Sequence, residues 1–224
     1  APPSAHYDAI YEGPLMSFIG YQEDVLFIEQ LSAEALATQF DTPLYVYSKA
    51  VISQAYESFR DAFSNHPMMV CYAVKANSNL GVLGLLASLG AGFDIVSGGE
   101  LTRVLRAGGR ADKIVFSGVG KQDKEITSAL KAGIHCFNVE SAMELVQIQR
   151  LAQQLDLIAP ISVRVNPDVD AGTHPYISTG LRENKFGVSM QAALELYQQA
   201  AQLSHIDIKG IDCHIGSQIT ELSP

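Results

Sequence analysis

From residue 44 onward, apolar positions along the chain alternate between two spacings. Short runs of apolar and β-branched residues at 44–47, 68–74, 93–96, 113–117, 135–139, 161–165 and 208–215 read as strands. Between them, apolar residues recur three and four apart, which predicts helices over 50–64, 80–89, 100–107, 124–132 and 191–203. The stretch after residue 139 is the clearest case, with Ala142, Leu145, Ile148, Ala152 and Leu155 on one face. Gly90, the Gly108-Gly109 pair and Gly133 follow three of these helices, where glycine commonly closes the last turn. Counting from residue 68, six strands are separated by helices. Repeated strand–helix units of this length specify a parallel sheet with right-handed crossovers.

Two architectures fit that count, an open doubly wound sheet and a closed eight-stranded barrel. No Gly-x-Gly-x-x-Gly follows the first strand, which weakens the dinucleotide-binding version of the open sheet. The polar residues Lys75, Asp94, Arg164 and His214 bunch at strand ends, and in a barrel those ends converge on one mouth. The expected fold is therefore α/β, a (β/α)8 TIM-type barrel of which about six strands are present.

Composition narrows the function classes. Of 224 residues, 47% are hydrophobic and 17% charged, which describes an ordered globular chain. A formal net charge of -9 argues against a nucleic-acid surface. No apolar stretch approaches the length of a membrane span and no basic-then-apolar leader opens the chain, so a cytoplasmic location is expected. Cys71, Cys136 and Cys213 are odd in number and lie in apolar runs; they read as buried free thiols.

The most informative single residue is Lys75, at the end of Met68-Met69-Val70-Cys71-Tyr72-Ala73-Val74-Lys75-Ala76-Asn77. An ammonium there must reach water, find an anion or lose its proton, and a lysine with a lowered pKa condenses with aldehydes. Taken alone, a lysine in this place most often just caps a strand at the surface. Residues 166–187 form a long connection without periodicity, of the kind that is usually functional or mobile. Its Asp168, Asp170 and His174 could suggest a metal, but no regular element converges them, and no metal is expected.

Six segments in order give the chain a resemblance to the fold-type III pyridoxal-phosphate enzymes, among them ornithine, arginine and diaminopimelate decarboxylases. They are Tyr72-Ala73-Val74-Lys75-Ala76-Asn77, Gly92-Phe93-Asp94-Ile95-Val96-Ser97, Gly98-Gly99-Glu100-Leu101, Val163-Arg164-Val165-Asn166-Pro167, Lys185-Phe186-Gly187 and His214-Ile215-Gly216-Ser217-Gln218. Within 166–187, Thr173-His174-Pro175-Tyr176-Ile177-Ser178-Thr179-Gly180 and Asn184-Lys185-Phe186-Gly187 look like the diaminopimelate branch. The resemblance implies pyridoxal 5'-phosphate as cofactor, with Lys75 as its Schiff-base lysine and as a proton donor or acceptor at the substrate carbon. It also implies His214 against the ring face, Ser217 near the phosphate, Asp94 near the Schiff base, and Arg164 against the acid that partners the ring nitrogen. Glu100 would stand behind these, although a first-turn acid favoured by the helix dipole explains it nearly as well. The implied reaction is decarboxylation of meso-diaminopimelate to L-lysine by a homodimer that shares its active sites.

The family's glycine-rich phosphate loop, its acid facing the ring nitrogen and its C-terminal β domain have no counterpart in the sequence. The chain is therefore expected to be an N-terminal part: residues 1–50 belonging with that β domain, and 51–224 a partial cofactor-binding barrel. Two other readings stay open, a non-catalytic protein that binds pyridoxal phosphate for cofactor supply or regulation, and a decarboxylase of the ornithine or arginine type.

Overall fold

The computed structural model describes residues 18–167, 186–217 and 219. It forms two compact units that divide between Pro67 and Met68. In the first, strands β1 (Ile19–Gln22), β2 (Val25–Ile28) and β3 (Leu31–Ser32) make a small antiparallel sheet in the order β1-β2-β3. Glu23 and Asp24 both take positive φ in the two-residue turn between β1 and β2, as a tight hairpin requires. Two helices follow, α1 (Ala33–Phe40) and α2 (Lys49–Ala62), whose first turns are capped by the Ser32 and Ser48 hydroxyls. Glu29 ties the sheet to α2, accepting hydrogen bonds from Ser48 Oγ at 2.7 Å and Ala50 N at 2.9 Å. By its contacts α2 lies with the first unit, beyond the 50/51 boundary expected from sequence. The small sheet was not foreseen, because strands this short carry little periodicity. Residues 44–47, expected as a strand, have no strand partner among the described residues, and Tyr45 and Tyr47 stand exposed.

The second unit contains the parallel sheet. In chain order it runs β4 (Cys71–Ala73), α3 (Leu80–Ser88), β5 (Gly92–Ile95), α4 (Gly98–Arg106), β6 (Ile114–Phe116), α5 (Asp123–Ala132), β7 (Cys136–Val139), α6 (Ala142–Leu155), β8 (Ala159–Asn166), β9 (Val188–Ser189), α7 (Met190–Ala200) and β10 (Ile206–Asp212). The strand order is β10-β8-β7-β6-β5-β4, every neighbouring pair parallel, with the short β9 pairing beside β8. Successive strands are thus spatial neighbours and the order never reverses. Helices α3 to α6 likewise pack each on the next. A doubly wound sheet would reverse its order at a switch point. The singly wound order is that of a barrel wall, and six of its strands stand among the described residues.

Side-chain alternation divides the sheet into two faces. Phe93, Ile95, Ile114, Phe116, Phe137, Val139, Ile161 and Val163 are buried on one face. The helices contribute Leu83, Val104, Ile126, Leu145 and Ile148 to the same core. The Phe93, Phe116 and Phe137 side chains are fully buried, each worth about 1.5–3 kcal/mol relative to exposure. The intervening positions Asp94, Asn138, Ser162 and Arg164 look the other way, toward the barrel interior. Asn79, Ser97, Ser141 and Ser189 cap α3, α4, α6 and α7 through their side-chain oxygens, which explains why the helices start where they do.

Two sequence expectations change here. The run 68–74 is a strand only over Cys71–Ala73, and Lys75 sits in the 3-10 turn Val74–Ala76 that follows. Cys213, expected to be buried, is exposed, whereas Cys136 is buried and Cys71 partly so. Of the long connection, residues 168–185 lie outside the described residues, and with them Asp168, Asp170, His174, Thr173 to Gly180 and Lys185.

Candidate active site

Residues at or just beyond the C-terminal ends of β4, β5, β6, β8 and β10 line a cleft of about 710 Å³. Lys75, Asp94, Arg164, His214 and Ser217, all picked out from sequence, line it together with Ser117, Gly118, Phe186, Asp212 and Cys213. Glu100 does not line it: its Oε2 accepts the Val96 N–H at 2.7 Å, so it serves the start of α4, the structural alternative offered by the sequence. Lys75 is exposed. It reaches solvent at the cleft edge.

The cleft floor is a closed polar network. The Asp94 Oδ1 accepts the Ser117 hydroxyl at 2.6 Å, and Ser117 Oγ in turn accepts Asn138 Nδ2 at 3.0 Å. Asn138 Oδ1 accepts the hydroxyl of Ser162. Burial pushes the Asp94 carboxyl above the usual aspartate range, against the Ser117 bond and the charges of Lys75 and Arg164, which act the other way.

Arg164 is a cation in a largely buried strand, and it meets the anionic partners such a placement requires. Its Nη1 lies 3.4 Å from Glu140 Oε1, its Nε 3.7 Å from Asp212 Oδ2, and its guanidinium carbon 5.1 Å from the Phe186 ring centroid. These two carboxylates are its ion-pair partners among the described residues. Glu140 also accepts the N–H groups of Gly118 at 2.8 Å and Gly187 at 3.3 Å. At Gly187, φ is +73°, and an added Cβ would come within 2.8 Å of the Arg164 carbonyl oxygen, so glycine alone allows the approach. Burial raises the Asp212 carboxyl, opposed by Arg164 and reinforced by the charges of Asp94 and Glu140. His214 is shifted downward, first by burial and then by Arg164 and Lys75, which favours the neutral imidazole at neutral pH.

Behind this layer lies Lys121, whose side chain is 1% exposed. Its ammonium donates to Gly118 O at 2.7 Å, Asn138 O at 2.8 Å and Glu144 Oε1 at 2.6 Å, which uses all three protons. Glu144 Oε2 accepts the Glu140 N–H at 2.8 Å, so the buried pair clamps the loop after β6 to the end of β7. Sequence reasoning missed Lys121, Glu140, Glu144, Ser117, Asn138, Ser162 and Asp212. The signal that singled out Arg164, a polar residue inside an apolar strand, was also present at Asn138 and Ser162.

What such a floor can do is hold a carboxylate and a guanidinium in fixed positions under an exposed primary amine. Residues 49–224 match the sequence model of the pyridoxal-dependent decarboxylases, pyridoxal binding domain. The chain is 59% identical over 210 residues to a diaminopimelate decarboxylase of Pseudomonas fluorescens, covering 93% of this chain and 50% of that protein. It is similar to the crystal structure of diaminopimelate decarboxylase from Helicobacter pylori complexed with L-lysine, with a TM-score of 0.83 and 49% identity over 85% of this chain and 48% of that one. The M. jannaschii enzyme in complex with L-lysine gives a TM-score of 0.86 at 40% identity, over 92% of this chain and 49% of that one. The chain spans about half the length of the curated relatives it matches. It belongs to the pyridoxal-dependent decarboxylase family, of which residues 49–224 carry the pyridoxal binding domain.

Proposed function

We propose that the protein of which this chain is a part decarboxylates meso-2,6-diaminopimelate to L-lysine, with pyridoxal 5'-phosphate held at the cleft. The observation that carries this reading is the gathering of Lys75, Asp94, Arg164, His214 and Ser217 around one cavity at the strand ends, in a chain 59% identical to a diaminopimelate decarboxylase. The donor set fits the cofactor: a primary amine for its aldehyde, an imidazole for its ring face, and a hydroxyl with nearby backbone N–H groups for its phosphate. Bound there, pyridoxal phosphate would supply a conjugated sink for the electron pair left on the substrate carbon when carbon dioxide departs.

Each residue then has a task set by its own chemistry. Lys75 would hold the cofactor's aldehyde through Nζ, and the same amine would be placed to return a proton to the substrate carbon that loses its carboxyl group. His214, whose imidazole is favoured in its neutral form, would pack on the cofactor ring without adding a cation beside it. Ser217 Oγ would donate toward the cofactor phosphate, and Asp94 would keep a negative charge near the lysine nitrogen. Arg164, held between Glu140 and Asp212, fixes the side of the cleft opposite Lys75 and helps exclude water. As part of the same reading, the intact protein is a cytoplasmic homodimer with shared active sites, and residues 1–50 contribute to a second, β-rich domain.

Carbon dioxide release from meso-diaminopimelate, ornithine and arginine by the intact protein tests the substrate. Turnover confined to diaminopimelate is expected, and preference for either of the others overturns it. Borohydride reduction of the cofactor-loaded protein should label the peptide containing Lys75, and label on Lys185 would overturn the lysine assignment.

A further inference from the structure

The hydrogen bonds below Asp94 have a direction that its charge imposes. An ionised carboxylate only accepts, and a serine hydroxyl has one proton to give. The Ser117 proton is therefore committed to Asp94 Oδ1, at 2.6 Å, and the Ser117 oxygen must receive its second bond as an acceptor. That obliges Asn138 to turn Nδ2 toward Ser117, at 3.0 Å, and Oδ1 toward Ser162, whose hydroxyl must donate. The Cys136 thiol lies 3.8 Å from the same Oδ1, on the same side as Ser162. Ser162, Asn138 and Ser117 thus all donate toward Asp94, a chain from β8 through β7 and the residue after β6 to β5 in which each bond polarises the next. Asn138 and Ser162 are each 5% exposed, so little water competes. Asp94 Oδ1 is occupied, and Oδ2 has no hydrogen-bond partner among the described residues, although the residue lines the cleft.

We propose that Asn138 and Ser117 are positioning residues for Asp94: Asn138 orients the Ser117 hydroxyl, and Ser117 keeps the Asp94 carboxylate charged with one oxygen left to the cleft. The role deepens the decarboxylase reading, on which its purpose rests, but it is a property of the protein without any ligand. Other charged groups bear on Asp94 from the surrounding elements. Lys75 after β4, Arg164 on β8 and Lys121 after β6 favour its ionised form. Asp212 on β10 opposes it, the Cys71 and Cys136 thiols approach from β4 and β7, and His214 faces it from beyond β10. The hydrogen-bond chain is separable from all of these, because removing a hydroxyl changes no charge.

The test is the titration of Asp94 in the intact, cofactor-free protein, read from the carbon-13 signal of its carboxyl group and assigned with Asp94→Asn. Ser117→Val and Ser117→Thr are near-isosteric and differ in the hydroxyl. The valine variant should raise the Asp94 midpoint by about one pH unit, a tenfold loss of the charged fraction in that range, and threonine should restore it. Asn138→Leu should raise the midpoint with Ser117 still in place. In the unmutated protein the Asn138 amide proton signals should move with the Asp94 midpoint, a readout that stands even if Asn138→Leu fails to fold. Equal midpoints for Ser117→Val and Ser117→Thr, or Asn138 signals that stay flat through the Asp94 titration, would overturn the proposal. No substrate or cofactor enters the measurement, so neither result depends on whether the protein is a decarboxylase.

Discussion

Between β5 and β8 the side chains beneath the cleft satisfy one another, whereas on its flanks, after β4 and β10, lining side chains face solvent. Asn138, Glu140, Glu144, Ser162 and Lys121 are all buried, and their strands β7 and β8 are almost wholly buried. Lys75 and Ser217 are exposed, and β10 is exposed along most of its length. The difference separates two jobs. Polar groups under cover must be paired in advance, since an unpaired one costs about 1–3 kcal/mol. That makes the floor rigid before any ligand arrives. The flanking groups carry no such constraint and are available to react.

The sharpest way to break this comparison is at the two lysines. Lys75→Ala should lower decarboxylation by the intact protein on the order of 10⁴-fold, while the urea midpoint corresponds to a change within about 0.5 kcal/mol, as for an exposed site. A large stability loss would mean that the flank is structural after all. Lys121→Met should do the reverse at the level of folding. It leaves Glu144 charged and buried, which costs about 3–5 kcal/mol in urea unfolding. Adding Glu144→Leu should recover part of that loss, since an apolar pair replaces an ion pair. A single-variant loss below about 1 kcal/mol would show that the clamp is dispensable.

A smaller effect concerns pH. The Asp94 carboxyl is raised by burial, so the folded state holds its proton to higher pH than the unfolded chain does. Its contribution to stability is present below the ordinary aspartate range near ~4 and is lost as pH rises through the raised value. Asp94→Asn should therefore unfold at higher urea than the parent protein at neutral pH, and the advantage should vanish in acid. An advantage that persists unchanged in acid would separate it from ionisation. The smallest effect is chemical. Cys71 and Cys136 are pushed up to about 11 by burial, so on the order of a thousandth of each is thiolate at about pH 8. Iodoacetamide should modify Cys213 first with no shift in the urea midpoint, and faster labelling of Cys136 would contradict the rigid floor.

How much of this was legible in the sequence depends on whether the signal was local. The strand and helix order was, because period and glycine punctuation are written along the chain, and β5 to β8 fall within a few residues of their expected places. Lys75, Asp94, Arg164, His214 and Ser217 could be brought to one cleft because strand ends converge in a barrel whatever their side chains are. What could not be read was pairing across strands. Nothing adjacent to Asn138 says that Ser117 and Ser162 are its neighbours; only the sheet register does. Lys121 and Glu144 likewise meet across 23 residues, and in the sequence they pass for solvated helix charges. Residues 44–47 have an apolar strand-like composition but no strand partner among the described residues, which composition alone does not reveal.

The hydrogen-bond chain from Ser162 to Asp94 also bears on how the sheet chooses its alignment. In a strand, sliding by one residue turns every side chain to the opposite face. Asn138 stands between Phe137 and Val139, both buried against the helices, and Ser162 between Ile161 and Val163. A slip of β7 would thrust an amide into the hydrophobic layer and point a valine or phenylalanine at two unsatisfied hydroxyls. The penalty would fall on three neighbouring strands at once. Polar residues that look like a concession to function inside the wall therefore act as an address code for assembly, reinforcing the alignment that the buried apolar face already favours.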